Sequence, residues 1–321
     1  IKKLFPDVPL IIGGIEASLR RFSHYDYWTD SVHKSILVDT KADLLVYGMG
    51  EKPIKQIVQQ LKKSQHIEDC RNVPQVAYFS AEKPIVENAI FLASHESCCK
   101  HKSISAETFR KIEEESNKIV QTTIVQPVDD KYVVVNPSFP PMTSEELDAV
   151  YELPFTRQPH PKYKGKTIPA FEMIKFSVNT HRGCFGGCAF CTISMHQGKF
   201  GVSRSKESII KEVKEISKMP DFKGYLSDLG GPSANMYQMR GHNTELCEKC
   251  KRASCLFPSM CKNLNNNHKP LLELYKEVDR LPCLKKSFIG SGVRYDLILH
   301  KTNNDEINRI NQEYAEELIK N

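Results

Sequence analysis

The 321-residue sequence carries 45 Lys and Arg against 39 Asp and Glu, a formal net charge of +6, with 40% hydrophobic and 26% charged residues. That balance suits a globular chain of about two domains. With no apolar run near the roughly 20 residues that span a bilayer, it excludes a helical membrane protein, a fibre and wholesale disorder.

Eleven cysteines are present, an odd number, and the text opens on Ile1 without a secretory apolar core. This argues against a secreted disulfide scaffold and predicts reduced thiols or metal ligands in a cytoplasmic setting. The small positive excess gives a nucleic-acid partner only weak support.

In chain order, Val8 to Ile12 is a short apolar run that ends at Gly13-Gly14. Leu44 to Tyr47 repeats the pattern and ends at Gly48-Met49-Gly50. Ile54, Ile57, Val58 and Leu61 then fall at helical spacing. Strand, glycine turn and helix predict part of a parallel α/β unit. A Gly-Gly pair at a strand end suits phosphate, but it suits a tight turn better. Tyr25, Tyr27 and Trp28 read as core or interface. Residues 65–170 read as largely irregular, with a charged surface helix over 107–120, a strand over Lys131–Val135 and a capping box at Thr143 and Glu146. Cys98-Cys99 lies between His95 and His101 but lacks a second ligand pair, so no metal site is expected there. Proline-rich text from Pro154 to Pro169 reads as a connector, and the domain boundary is placed near Pro169.

Beyond it, Ile174, Phe176 and Val178 alternate as a strand does. A Gly- and Cys-rich loop follows over 181–191. Ser205 is set to cap a helix whose stripe is Ile209, Ile210, Val213 and Ile216. Tyr225-Leu226 runs into Asp228 to Gly231, and Ser287 to Ile289 runs into Gly290-Ser291-Gly292. A last helix starts near Asp305, with Ile307, Ile310, Tyr314 and Leu318 on one face. Three strand–loop–helix units are the grammar of a (β/α) barrel, but too few to close one.

Eight of the cysteines fall between Cys184 and Cys283. Cys184, Cys188 and Cys191 are spaced C-x3-C-x2-C, and Gly183, Gly186 and Gly187 let the loop wrap. Thiolates are the ligands that hold iron–sulfur clusters, and three of them leave one iron open to a small molecule. A zinc site would need a fourth ligand, for which His181 and His196 are the candidates. Cys247, Cys250, Cys255 and Cys261 form a second group in polar, loop-like text. Its candidate metals are structural zinc and an auxiliary iron–sulfur cluster, with His268 as a further ligand candidate. Cys283 reads as core.

The triad, with Phe190 just before its third cysteine, resembles the radical S-adenosylmethionine (SAM) superfamily. The stretch from Pro9 to Phe22 with His24 to Trp28, Ala42 to Gly48, Met173 to Asn179, Asp228 to Tyr237 and Ser291 to Leu297 resembles the YgiQ-type (UPF0313) members. The resemblance covers nearly the whole chain. It implies a partial Rossmann-like, cobalamin-binding-like domain over 1–168, without a cobalamin-ligand histidine. The first half of a (β/α)6 partial barrel would follow over 169–321, with a Cys-rich insertion at 240–268. Family members are longer at both ends, so an internal fragment is expected.

The resemblance further implies a [4Fe–4S] cluster on Cys184, Cys188 and Cys191. One electron from a flavodoxin- or ferredoxin-like donor would cleave SAM to methionine and a 5′-deoxyadenosyl radical, which acts on an unknown substrate. Phe190, Asp228, Gly230, Gly231, Ser291 and Arg294 are the SAM-facing candidates. Pro232 stands where many relatives carry an acid, and Asp228 is the substitute. Cysteines at the positions of Cys250, Cys255 and Cys261 recur in the family. The competing readings are a zinc-binding structural or nucleic-acid-binding module, and a tRNA-modifying enzyme of the same superfamily that would use Lys162 to Lys166.

Overall fold

A computed structural model describes residues 1–320. The chain forms two compact units. The first comprises residues 1–140 with 186–199 and 244–254; the second comprises 141–185, 200–243 and the residues from 255 on.

The first unit is built on a six-stranded sheet in the order Ile11–Gly13, Leu44–Val46, Val76–Ser80, Lys131–Val135, Ile124–Val128, Ile90–Phe91. The first two strands run parallel, with Ile12 opposite Leu45, as the strand–glycine–helix pattern predicts. The next three pairings are antiparallel and the last is parallel, so the sheet is mixed. Side chains alternate across it. Leu44 and Val46 pack with Ile57, Cys70 and Val76, whereas Leu45 and Tyr47 pack with Ala77, Ile124 and Val133. Both faces are therefore buried, as expected for strands that are apolar throughout.

Three expectations are corrected here. Residues 65–140 are not irregular: they supply four of the six strands and the helices His95–Lys100 and Lys102–Ser116. The helix Glu51–Ser64 buries Ile57, but Ile54 and Val58 stay 43% and 45% exposed, so its apolar stripe is narrower than the spacing suggests. Trp28 is 79% exposed and Tyr25 and Tyr27 are also at the surface, so of the core and interface readings the core one falls.

In the second unit, Ser177–Asn179 pairs in parallel with Asp228–Gly230, and Tyr225–Leu226 pairs in parallel with Lys286–Ser287. The 225–230 stretch thus lies between the other two, and Leu229 N–H donates to Phe288 O at 2.9 Å. Helices Lys206–Ile216, Lys269–Val278 and Asp305–Lys320 follow the three strand segments in turn. Their apolar stripes meet Val178, Leu226 and Leu229 in one core, through Ile209, Val213, Ile216, Leu271, Leu274 and Tyr314. Ser205 caps its helix as expected, its hydroxyl accepting from Ser208 N–H at 3.1 Å. The strand expected from Ile174 is shorter. Pro169 sits in the first turn of a helix Pro169–Ile174, where its missing N–H costs nothing.

The proline-rich connector is packed rather than free. Glu212 accepts from both Arg204 and Arg157, and the Arg204 guanidinium lies 4.0 Å from the centre of the Tyr151 ring. Upstream, Thr143 and Glu146 form the capping box of helix Ser144–Tyr151, whose Asp148 accepts from Ser205 N–H at 3.0 Å. Thr143→Ala is expected to lower stability by about 1 kcal/mol in denaturant titration.

Candidate functional site

Gly183 and Gly187 adopt φ of +86° and +60°, the left-handed region in which glycine is at ease. At Gly187 the space is closed as well: a Cβ there would lie 2.4 Å from Ala253 O. The neighbouring Gly186 O accepts from the Ser254 hydroxyl at 2.7 Å. Lys199 is buried, donates from Nζ to Arg252 O at 2.7 Å and lies 3.5 Å from Cys250 Sγ. These contacts all fall within the first unit. Within the second, Cys255 N–H donates to Phe185 O at 3.0 Å. Cys184, Cys255 and Cys261 pack there against Phe185, Leu256 and Leu264. Both cysteine-rich segments are thus held to one another by the Ser254 hydroxyl and the Cys255 N–H on main-chain carbonyls, a relation with no local sequence signal apart from Gly187.

None of the eleven cysteines is in a disulfide, and those of the triad and of the second group are half-buried. Cys191 N–H donates to Cys188 O at 3.0 Å, which closes the turn between the last two triad residues. Phe190 projects from that turn, 91% exposed. Among the described residues, no three His, Cys, Asp or Glu side chains converge as ligands of one ion would. A four-iron cluster makes a different demand, because each thiolate binds its own iron. Three reduced cysteines on one glycine-rich loop fit that demand.

The SAM-facing candidates of the second unit form two groups. In the first, Asp228 Oδ1 accepts from Gly290 N–H at 2.9 Å and from Ser291 N–H at 3.1 Å, while Oδ2 takes the Ser291 hydroxyl. A Cβ on Gly230 would lie 2.8 Å from Ser291 Oγ and 2.9 Å from Asp228 Oδ1, so Gly230 completes the cluster. The Asp228 carboxylate thus ties down the loop over 290–291 and fixes its own position beside Gly230. In the second group, Arg294 pairs with Asp296 at the surface. Its backbone is clamped from below by buried Asn235, which accepts from Arg294 N–H at 2.8 Å and donates to Arg294 O at 2.9 Å.

A family model described as Radical SAM N-terminal matches residues 1–177. A UPF0313 protein of Bacteroides thetaiotaomicron is 60% identical over the whole of this chain and 54% of its own length. The chain belongs to the UPF0313 radical SAM family. A UPF0313 protein of Porphyromonas gingivalis is 54% identical over 99% of this chain and 51% of its own. One of Methanocella arvoryzae is 44% identical over 93% of this chain and 50% of its own. The chain therefore spans about half the length of the curated UPF0313 relatives it matches.

In this UPF0313 chain each histidine considered as a metal ligand has a side-chain partner on at least one ring nitrogen. His268 Nε2 lies 3.1 Å from Asn235 Nδ2, and Nδ1 lies 2.7 Å from Asn311 Oδ1. Its ring stacks on Tyr314 at 4.4 Å. Burial holds its pKa down at about 4. His196 Nδ1 is 2.9 Å from Ser18 Oγ, which also accepts from Gly48 N–H at 2.8 Å. The helix Ile193–Gln197, just past the triad, is thereby seated on the loops that end the first two parallel strands. That is the place where α/β sheets commonly hold a ligand. Here Gly14 and Gly48 serve tight turns and the close approach of that helix. His181 is buried against Gly231. Sequence reasoning missed Asn235 and the ring of His181; both lie inside motifs it singled out, but their burial is a tertiary property.

Among the described residues, no helix is long and apolar enough to cross a membrane.

Proposed function

We propose that this UPF0313 chain carries the cofactor-binding core of a radical SAM enzyme. Cys184, Cys188 and Cys191 would hold a [4Fe–4S] cluster. A cluster held by these residues would supply reductive one-electron cleavage of SAM, fed by a flavodoxin- or ferredoxin-like donor, to methionine and a 5′-deoxyadenosyl radical able to take hydrogen from a substrate. The observation that carries this reading is the set of three reduced, half-buried cysteines on one glycine-rich loop, with Phe190 exposed beside the third.

The chain's own residues prepare the site. Gly183 and Gly187 let the loop turn back on itself. Phe190 offers an aromatic face to the adenosine. The Gly230-Gly231 backbone, the 290–291 loop held by Asp228, and the Arg294 backbone held by Asn235 form preorganised walls for the methionyl end, so little ordering is left to the moment of binding.

The proposal places a Rossmann-like domain over 1–168 and the opening β/α units of a partial barrel over 169–321, with an insertion at 240–268. Cys247, Cys250, Cys255 and Cys261 would be a second metal-binding group, holding an auxiliary iron–sulfur cluster or zinc. Seating of the helix Ile193–Gln197 on the first two strand ends supports a bracing role for the amino-terminal domain.

The test is anaerobic reconstitution of the full-length protein. Brown protein with matched iron and sulfide, which releases 5′-deoxyadenosine on reduction with SAM, is expected. Colourless protein with stoichiometric zinc would overturn the reading. Because three cysteines would leave one iron of such a cluster without a protein ligand, iron content and activity are also expected to fall steadily on aerobic exposure.

A further inference from the structure

We propose that His181 is a positioning residue that fixes the Gly230-Gly231 segment for SAM, an inference that rests on the assignment of that segment above.

His181 is 1% exposed, and its ring occupies the space under Gly231. A Cβ on Gly231 would lie 2.6 Å from Cε1, 2.8 Å from Nδ1 and 3.0 Å from Nε2 of that ring. The φ of Gly231 lies outside the left-handed region, so the backbone itself tolerates a side chain, and the three atoms nearest to one all belong to the imidazole. The adjacent carbonyl is held by the same device. Gly230 O accepts from Thr180 N–H at 2.7 Å and lies 3.1 Å from the Thr180 hydroxyl, which is 2.8 Å from His181 Nδ1. One hydroxyl therefore links the ring to the carbonyl, while the ring face supports the next residue.

A mere filler would be apolar. Nε2 is buried beside the Ser233 backbone without a hydrogen bond of good geometry. An unsatisfied buried nitrogen of this kind disfavours the fold relative to a leucine or phenylalanine at the same place. A retained cost of this kind at a binding segment points to a demand of function. Three residues after His181 the chain reaches Cys184, so one short strand, His181–Arg182, carries both the support of the Gly-Gly segment and the entry to the triad.

The test uses full-length, anaerobically reconstituted protein in four forms: wild type, His181→Ala, Gly231→Ala and the double variant. Iron per chain and the paramagnetic spectrum of the reduced protein without SAM report the cluster; equilibrium dialysis reports the SAM Kd. Both single variants are expected to keep iron and the SAM-free spectrum, and to bind SAM roughly tenfold more weakly. In the double variant the added methyl takes the vacated space, and affinity is expected to return to within about threefold of wild type. Unchanged affinity in His181→Ala, a double variant no better than Gly231→Ala, or loss of iron from His181→Ala would each overturn the positioning role while leaving the SAM reading standing. A wild-type protein with an intact cluster and no SAM binding would overturn that reading, and this inference with it.

Discussion

Cys184→Ala is expected to reduce 5′-deoxyadenosine formation by roughly a thousandfold or more, to background. Each triad thiolate would anchor a different iron, so losing one leaves an iron with no protein ligand and a cluster held at two corners. The Nδ1 atoms of His181 and His196 are held by Thr180 and Ser18, and Asp228 is tied to the 290–291 loop. Cys188→Ala and Cys191→Ala are expected to match it. Cys99→Ala is the control: it alters an exposed thiol on the helix His95–Lys100 of the first unit and is expected to leave activity unchanged. Iron analysis of the same preparations separates a lost cluster from a cluster that is present but inactive. Product at wild-type rate from Cys184→Ala would refute the assignment of the triad.

What could be read from the sequence was what is encoded locally. The triad and its glycines lie within nine residues, and the caps at Thr143 and Ser205 depend on side chains three positions from their partners. The parallel pairing of Ile11–Gly13 with Leu44–Val46 followed from two apolar runs with glycine at each end. The rest of the first sheet was hidden because its strands are two to five residues long and one contains Pro127, a residue that argues against a strand. Pro127 is tolerated because the neighbouring strand Ile90–Phe91 pairs only with Ile124 and Val125, short of it. The helix Pro169–Ile174 was hidden for a related reason, since proline-rich text masks a helix that begins on a proline.

The site was legible in its ligands and illegible in its supports. Asn235 carries no mark that it clamps Arg294, 59 residues away. The bond from Ser254 to Gly186 spans 68 residues. Nothing in the spacing of Cys247, Cys250, Cys255 and Cys261 shows that the segment beside them braces the triad loop. The same contacts change what the second group means physically. Whatever occupies it, the main chain at 253–255 already has a structural task, so replacing these cysteines is expected to disturb the triad loop less than replacing Gly187.

Stability is expected to fall steeply as pH drops from 7 towards 4. His181 and His268 are both buried, and burial lowers each pKa from an ordinary value near 6.5 to about 4. Between those values the unfolded chain binds a proton at each position and the folded chain refuses it. The stabilisation is complete above pH 6.5 and is lost progressively as pH falls to about 4. At pH 5 the loss is about 2 kcal/mol for each histidine, and the limiting loss is about 3 kcal/mol each. Two such groups together approach the whole stability of an ordinary domain. Burial also lowers the pKa of His24, His95 and His196, which adds loss of the same sign in the first unit. Thermal unfolding followed at half-unit steps of pH checks this: Tm is expected to be flat above pH 7 and to drop on the acid side. In His268→Gln the slope should shrink by about one proton per molecule, because the amide does not titrate. A Tm that stays level from pH 7 to pH 5 would mean that these rings are hydrated in solution, and the buried supports of the Gly230-Gly231 and Arg294 segments would then have to be redrawn.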